Sequence, residues 1–208
     1  MRLRRIEPEF AGRVAVRRRP FPLDLLRGDG PPRDILEQEW WLAAIQEPEA
    51  EFTAYPPDDW ATTTLPAFDA AWAAARQGDA AAADFDLRIR RAFFGQGRNI
   101  GRREVLTALA EEAGLDLPRF ERDCGSPEAR RAVEQEAKIG REQFQVRGTP
   151  TLMLADGTRL QWSMAHPKIR DRKIVAMSPL PCWGTGCDEA TRDLFRRAGA
   201  HGRVSRRT

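Results

Sequence analysis

The sequence predicts an α/β fold in which one sheet is divided by a long helical insertion. Three observations predict it. Valines alternate with other residues between Gly12 and Arg19, at the period of a strand. Residues 31–144 carry apolar side chains at helical spacing, punctuated by caps and glycines. From Thr151, two short strand-like runs flank Asp156-Gly157, the pair that most strongly signals a tight hairpin. Strands lying at both ends of so much helix imply one sheet with an insertion between its halves. The expected division is a sheet portion at 12–30 and 145–178, a helical insertion at 31–144, and a C-terminal extension at 179–208.

A chain of 208 residues is long enough for one core. The longest apolar run, Trp40 to Ile45, falls far short of the roughly 20 residues of a membrane span, so no membrane partner is expected. The 34 basic residues are interspersed with 31 acidic ones, leaving a net charge of +3. So even a balance argues against a nucleic-acid partner, and the run Arg17, Arg18, Arg19 reads as a solvated strand end. The basic N-terminus is followed by no apolar segment of the kind export signals carry, so a cytoplasmic location is expected. In that reducing compartment a close pair among the three cysteines is redox-active or metal-bound sooner than structural.

The elements follow in order. The alternation of Val14 and Val16 with Arg13, Ala15 and Arg17 predicts a strand ending at Pro20-Phe21-Pro22. Asp34, after two prolines, caps a helix carrying Ile35, Leu36, Trp40 and Ile45 to about Glu47. Leu65, with Pro66 in the first turn, opens a helix whose inward face is Phe68, Trp72 and Ala75 and which stops near Gly78. A third helix runs from Ala80 to Phe94 on the stripe Phe85, Ile89, Ala92 and Phe93. Arg102 to Ala113 is amphipathic, with Val105, Leu106 and Leu109 inward and Gly114 as its left-handed end. Pro118 to Cys124 is a short helix, and Ser126-Pro127-Glu128 starts a longer one ending near Phe144. The hairpin follows from Thr151 to Trp162. Beyond it the chain reads as irregular, with a short helix from Asp188 to Ala198.

The stretch Phe144-Gln145-Val146-Arg147-Gly148-Thr149-Pro150-Thr151, passing from a helix end into a strand, resembles the Val-x-Gly-Thr-Pro-Thr loop of thioredoxin-fold proteins. Together with Arg18-Arg19-Pro20-Phe21, Arg91-Ala92-Phe93-Phe94 and Ala110-Glu111-Glu112-Ala113-Gly114-Leu115, the order of elements resembles the DsbA-like branch. Within it the closest likeness is to the FrnE-type cytoplasmic thiol-disulfide oxidoreductases, from about Gly12 to Ala198. The resemblance implies a thioredoxin-like fold with a helical insertion and a cis bond between Thr149 and Pro150. Proline makes that isomer accessible, and the turn it imposes lets the preceding residue offer its backbone to an extended thiol substrate. Thr149 and Pro150 are therefore the expected substrate-binding residues. Family members open with a strand leading to a Cys-Pro-x-Cys helix N-terminus, where the macrodipole favours a thiolate. This sequence has no cysteine before Cys124. The resemblance thus implies a fold lacking its first strand and catalytic helix, an N-terminal truncation explained by new strand pairing, by a strand from a partner chain, or by a start codon upstream of Met1.

Pro181-Cys182-Trp183-Gly184-Thr185-Gly186-Cys187 is a Cys-x4-Cys loop with two glycines. It is flexible enough to bring the cysteines to the Cα separation of about 5.5 Å that a disulfide needs. Two free thiols are the plainer alternative. Some FrnE-type proteins are similar in carrying an extra C-terminal Cys-x4-Cys, so Cys182 and Cys187 are the expected catalytic residues. Cys124 reads as an inert small residue. His166 reads as a loop residue, and neither it nor His201 is spaced to complete a zinc site, so no metal or other cofactor is expected. The resemblance implies a dithiol or disulfide substrate, either protein or small thiol, exchanged by thiolate attack. Because the usual nucleophile is missing, two other readings stay open. One is a glutathione-dependent isomerase of the 2-hydroxychromene-2-carboxylate type, and the other a non-catalytic binding module. The residues do not indicate an oligomeric state.

Overall fold

The computed structural model describes residues 1–28, 32–160, 167–180 and 182–204. In chain order its helices are α1 (Arg2–Ile6), followed by a 3-10 turn at Glu7–Phe10, α2 (Asp24–Arg27), α3 (Arg33–Gln46), α4 (Leu65–Ala75) and α5 (Asp79–Arg90). A π turn at Arg91–Gly95 extends α5, and α6 (Arg103–Glu112), α7 (Leu117–Cys124) and α8 (Pro127–Glu142) follow. Then come β1 (Leu152–Met153), β2 (Arg159–Leu160), β3 (Pro167–Arg170), β4 (Lys173–Met177) and α9 (Thr185–Val204). The chain divides into two compact units, one of Arg19–Arg33 and Glu51–Arg147, the other of Met1–Arg18, Asp34–Ala50 and Gly148–Thr208.

The first of these units is helical and is built around α4, which packs on α5, α6, α7 and α8. The buried face of α4 is Ala67, Ala70, Ala73 and Ala74, not the Phe68, Trp72 and Ala75 face expected from size. A helix with four neighbours buries the face that lets backbones approach, and the small residues supply it. Trp72 stays half-buried with the Arg76 guanidinium 4.9 Å over its ring. Of the other expected stripes, Phe85, Ile89, Ala92, Phe93, Leu106 and Leu109 are buried and Val105 is half-buried, whereas on α3, in the other unit, Trp40 is buried but Ile45 is exposed. Phe85 and Phe120 meet edge to face at 5.3 Å between α5 and α7. Gly114 is left-handed at φ +68°, and the Ser126 hydroxyl accepts from the Ala129 amide at 3.2 Å as the cap of α8. Two carboxylates brace the unit from within. Asp24 accepts from the Thr64 amide (2.8 Å) and from the hydroxyls of Thr63 (2.8 Å) and Thr64 (2.7 Å), while buried Asp69 takes a two-pronged contact from Arg130.

The other unit holds both ends of the described chain and every described strand. Its small core is Ile6, Phe10 and Phe195, the two rings stacked at 5.0 Å, with Leu3, Val14 and Val16 packed against it. The expected strand at Gly12–Arg19 is absent. The alternation is real, since Val14 and Val16 turn inward while Ala15 and Arg17 are exposed, but among the described residues the segment has no strand beside it to complete a ladder. Among the described residues no strand precedes Leu152.

The Asp156-Gly157 hairpin forms as expected, pairing Leu152 with Leu160 and Met153 with Arg159, with Gly157 at φ +86°. A second hairpin, β3 with β4, occupies part of the stretch that reads as irregular. Its turn residues, Asp171 and Arg172, both have positive φ, as a type I′ turn requires, without the glycine that would announce it. Asp34 is not the cap expected of it but lies inside the first turn of α3, two residues beyond the cap position, and its carboxylate pairs with Arg172. The C-terminal helix is longer than expected, beginning at Thr185. His166 and Trp162 lie outside the described residues.

Candidate redox site

Three helices of one unit contribute to the surroundings of Cys182 and Cys187. Packing of Ile6 and Phe10 on Phe195 sets α1 against α9. That contact brings Arg2 and Arg5, three residues apart on one side of α1, to the C-terminal end of α3 and the first turn of α9. The Arg2 guanidinium donates to the backbone carbonyl of Gln46 and lies 3.4 Å from Glu47 and 3.5 Å from Asp188. Arg5 contacts Asp188 at 2.7 Å and Glu47 at 3.2 Å, and also pairs with Glu49. The hydrogen bond from Arg5 to Asp188, helped by Glu47, outweighs partial burial and holds this guanidinium firmly in its charged form.

At this junction Cys182 and Cys187 are joined in a disulfide, with Cα atoms 4.9 Å apart and sulfurs at 2.01 Å. The loop between them turns through Gly184 at φ +47°, a conformation glycine adopts without steric cost. The Gly186 amide donates to the Trp183 carbonyl (2.9 Å) and the Cys187 amide to that of Gly184 (3.0 Å), starting α9. Cys187, in the first turn of α9, is fully buried, and its carbonyl accepts from the Thr191 hydroxyl at 2.9 Å. Cys182, before the helix, is partly exposed, and the side-chain amide of Gln46 donates to its sulfur at 3.6 Å. Trp183 is 63% exposed, so it does not shield the pair by packing.

The asymmetry sets what the pair can do chemically. Cys187 is the less accessible of the two, so thiol exchange at this pair would begin at Cys182. The remaining cysteine, Cys124, belongs to the helical unit, where burial, with the nearby Asp69 charge, pushes its thiol above the usual range and leaves little thiolate.

Thr149 and Pro150 are exposed, ahead of β1, and the bond between them is cis. The Thr151 hydroxyl donates to the Gly148 carbonyl at 2.7 Å and closes this loop. No hydrogen bond among the described residues joins Thr149 or Pro150 to the cysteine pair. Sequence reading had no means to find Gln46, Arg2, Arg5 or Asp188. The only local hint is the i, i+3 spacing of the two arginines, and their partners lie more than 40 positions away.

The thioredoxin family's sequence model matches residues 54–173, more than half of the chain and a span that stops short of the disulfide. A protein of Bacillus subtilis (strain 168), the uncharacterized YwbO, is 32% identical over 73 residues, a match covering 35% of this chain and 36% of that protein. The chain thus aligns with about a third of the length of that curated relative. A crystal structure of a candidate protein disulfide isomerase from Nitrosomonas europaea is similar in fold, with a TM-score of 0.68 at 17% identity over 94% of this chain and 88% of that one. The cytosolic disulfide reductase DsbM of Pseudomonas aeruginosa is similar at TM-score 0.58 and 22% identity, over 76% and 79% of the two chains. Its structure with GSH gives 0.57 at 23%, over 77% and 81%. These likenesses, with the helical unit leading into the Gly148–Thr151 loop and the first hairpin, make the α/β architecture a thioredoxin-like one. The chain belongs to the thioredoxin family.

Proposed function

We propose that the protein is a DsbA-like thiol-disulfide oxidoreductase and that in this chain Cys182 and Cys187 carry the exchange. The observation that carries the reading is the disulfide itself, which joins Cys182, a half-buried residue in a loop, to Cys187, fully buried in the first turn of a helix. In the reduced pair the Cys182 thiolate attacks one sulfur of a substrate disulfide. That bond breaks, its electron pair leaves on the second substrate sulfur, which takes up a proton, and a mixed disulfide remains on Cys182. Cys187 then loses its proton and attacks the Cys182 sulfur, releasing the first substrate sulfur as a thiol. The substrate gains two electrons and the pair returns to the oxidised form seen here; a small thiol or dithiol reverses the cycle.

The partners of this reading are protein or small-molecule thiols and disulfides, received at the exposed Thr149–Pro150 loop. A glutathione-class thiol is supported by the similarity to DsbM, a reductase whose structure is known with GSH. The location is cytoplasmic, supported by the cytosolic character of DsbM; no described helix is long and apolar enough to cross a membrane. Thiol counting tests the reading. Mild reduction of the full chain is expected to expose two further thiols together, and Cys182→Ser to abolish that increment. In Cys187→Ser, Cys182 is expected to trap a mixed disulfide with oxidised glutathione. Failure to trap it at any pH up to 9 would remove the reading.

A further inference from the structure

We propose that Gln46 is a catalytic residue of this exchange, its side-chain amide acting as the hydrogen-bond donor that stabilises the Cys182 thiolate. The inference rests on the redox reading of the cysteine pair and adds to it a group outside the Cys-x4-Cys segment. Gln46 is the last residue of α3 and is 8% exposed, and its Nε2 lies 3.6 Å from the Cys182 sulfur. Its backbone carbonyl is held by buried Arg2. The main chain of Gln46 is thus held by its helix and by α1, and its side-chain amide already lies within hydrogen-bond reach of the atom on which charge develops.

The surrounding charges do not perform this role in its place. Packed around the junction are Arg2 and Arg5 from α1, Glu47 and Glu49 just after α3, and Asp188 from α9. Three carboxylates face two guanidiniums, and each guanidinium is engaged by carboxylates of that same group. The cluster carries no surplus positive charge to offer a thiolate, and of the two long-helix ends at the junction the C-terminal end of α3 presents the negative end of its dipole, while the N-terminal end of α9 adds a positive end that acts alongside Gln46. A neutral N–H directed at the sulfur is what favours the charged form over the neutral thiol. Such a bond strengthens on ionisation, because its acceptor becomes an anion.

The test is the pH profile of alkylation of Cys182 in the reduced full chain. Iodoacetamide serves as the probe, and mass spectrometry resolves Cys182 from Cys124 and Cys187. In Gln46→Leu the midpoint is expected to rise by about one pH unit, so that alkylation below the midpoint slows about tenfold while the plateau rate at high pH is unchanged. Gln46→Glu keeps the shape but replaces the donor by a carboxylate, and is expected to raise the midpoint at least as far. Superimposed profiles for all three proteins overturn the inference, as does a shift in Gln46→Leu that Gln46→Glu does not share, since that pattern reports lost packing. Trapping with oxidised glutathione in Cys187→Ser, where no second cysteine resolves the mixed disulfide, keeps the two readings apart. Trapping in Cys187→Ser with unshifted alkylation profiles removes Gln46 alone, whereas absent trapping there removes the exchange reading and with it the catalytic role of Gln46, whatever the profiles show.

Discussion

Asp24 shows how a single side chain sets a pH dependence. Burial on its own would raise its pKa, but hydrogen bonds from Thr64 and Thr63 outweigh that effect and hold the carboxyl below its ordinary value. A group whose folded pKa is depressed contributes stability above its unfolded pKa of about 3.9, and that contribution is lost as pH falls through the folded value. Asp24→Asn is therefore expected to cost about 1–2 kcal/mol at pH 7 in urea unfolding. The gap to wild type should close on acidification toward pH 2; a gap that persists there would mean that shape, and not charge, is what Asp24 supplies. Buried Asp69 is held by a two-pronged contact from Arg130, and cutting Arg130 back to alanine would take that partner from a buried carboxylate.

At the scale of an element, α4 depends on smallness. Ala70 and Ala74 are fully buried, whereas Ala75 on the same helix is exposed. Ala70→Leu has to displace neighbouring helices and is expected to destabilise by about 1–3 kcal/mol. Ala75→Leu should stay within about 0.5 kcal/mol. Equal effects in thermal unfolding would show that α4 is not close-packed on that face. The β3–β4 hairpin makes a complementary point about turns, because Asp171 and Arg172 hold positive φ while Arg172 also reaches Asp34 on α3. Here a tertiary contact accompanies a conformation that local propensity disfavours.

For the molecule as a whole, the disulfide is a short tether in the unit that holds both chain ends. Closing a loop of this size contributes about 2 kcal/mol in the chain-entropy model. Reduction is expected to lower amide protection in α9 and in α1, which packs on it, before it affects α4 at the centre of the helical unit. Hydrogen exchange followed by mass spectrometry reads this directly. A loss of protection in α4 equal to that in α9 would contradict the assignment of the tether to one unit.

The residues alone determine what depends on near neighbours. Periodicity marks α3 and α5 through α8, Ser126 caps α8, Gly114 ends α6 because only glycine takes a left-handed turn freely, and Asp156-Gly157 closes the first hairpin. The likeness of Gly148–Thr151 to a known loop pointed to the fold. Tertiary structure decided what depends on distant partners. Val14 and Val16 alternate as a strand would, yet with no strand beside them among the described residues they pack on α1 and α9 instead. Which face of α4 is buried followed from how many helices surround it, not from which of its residues are largest. The disulfide could be proposed from two cysteines five positions apart. Its setting of Arg2, Arg5, Gln46 and Asp188 is drawn from segments far apart in the chain, and only the folded backbone brings them to one place.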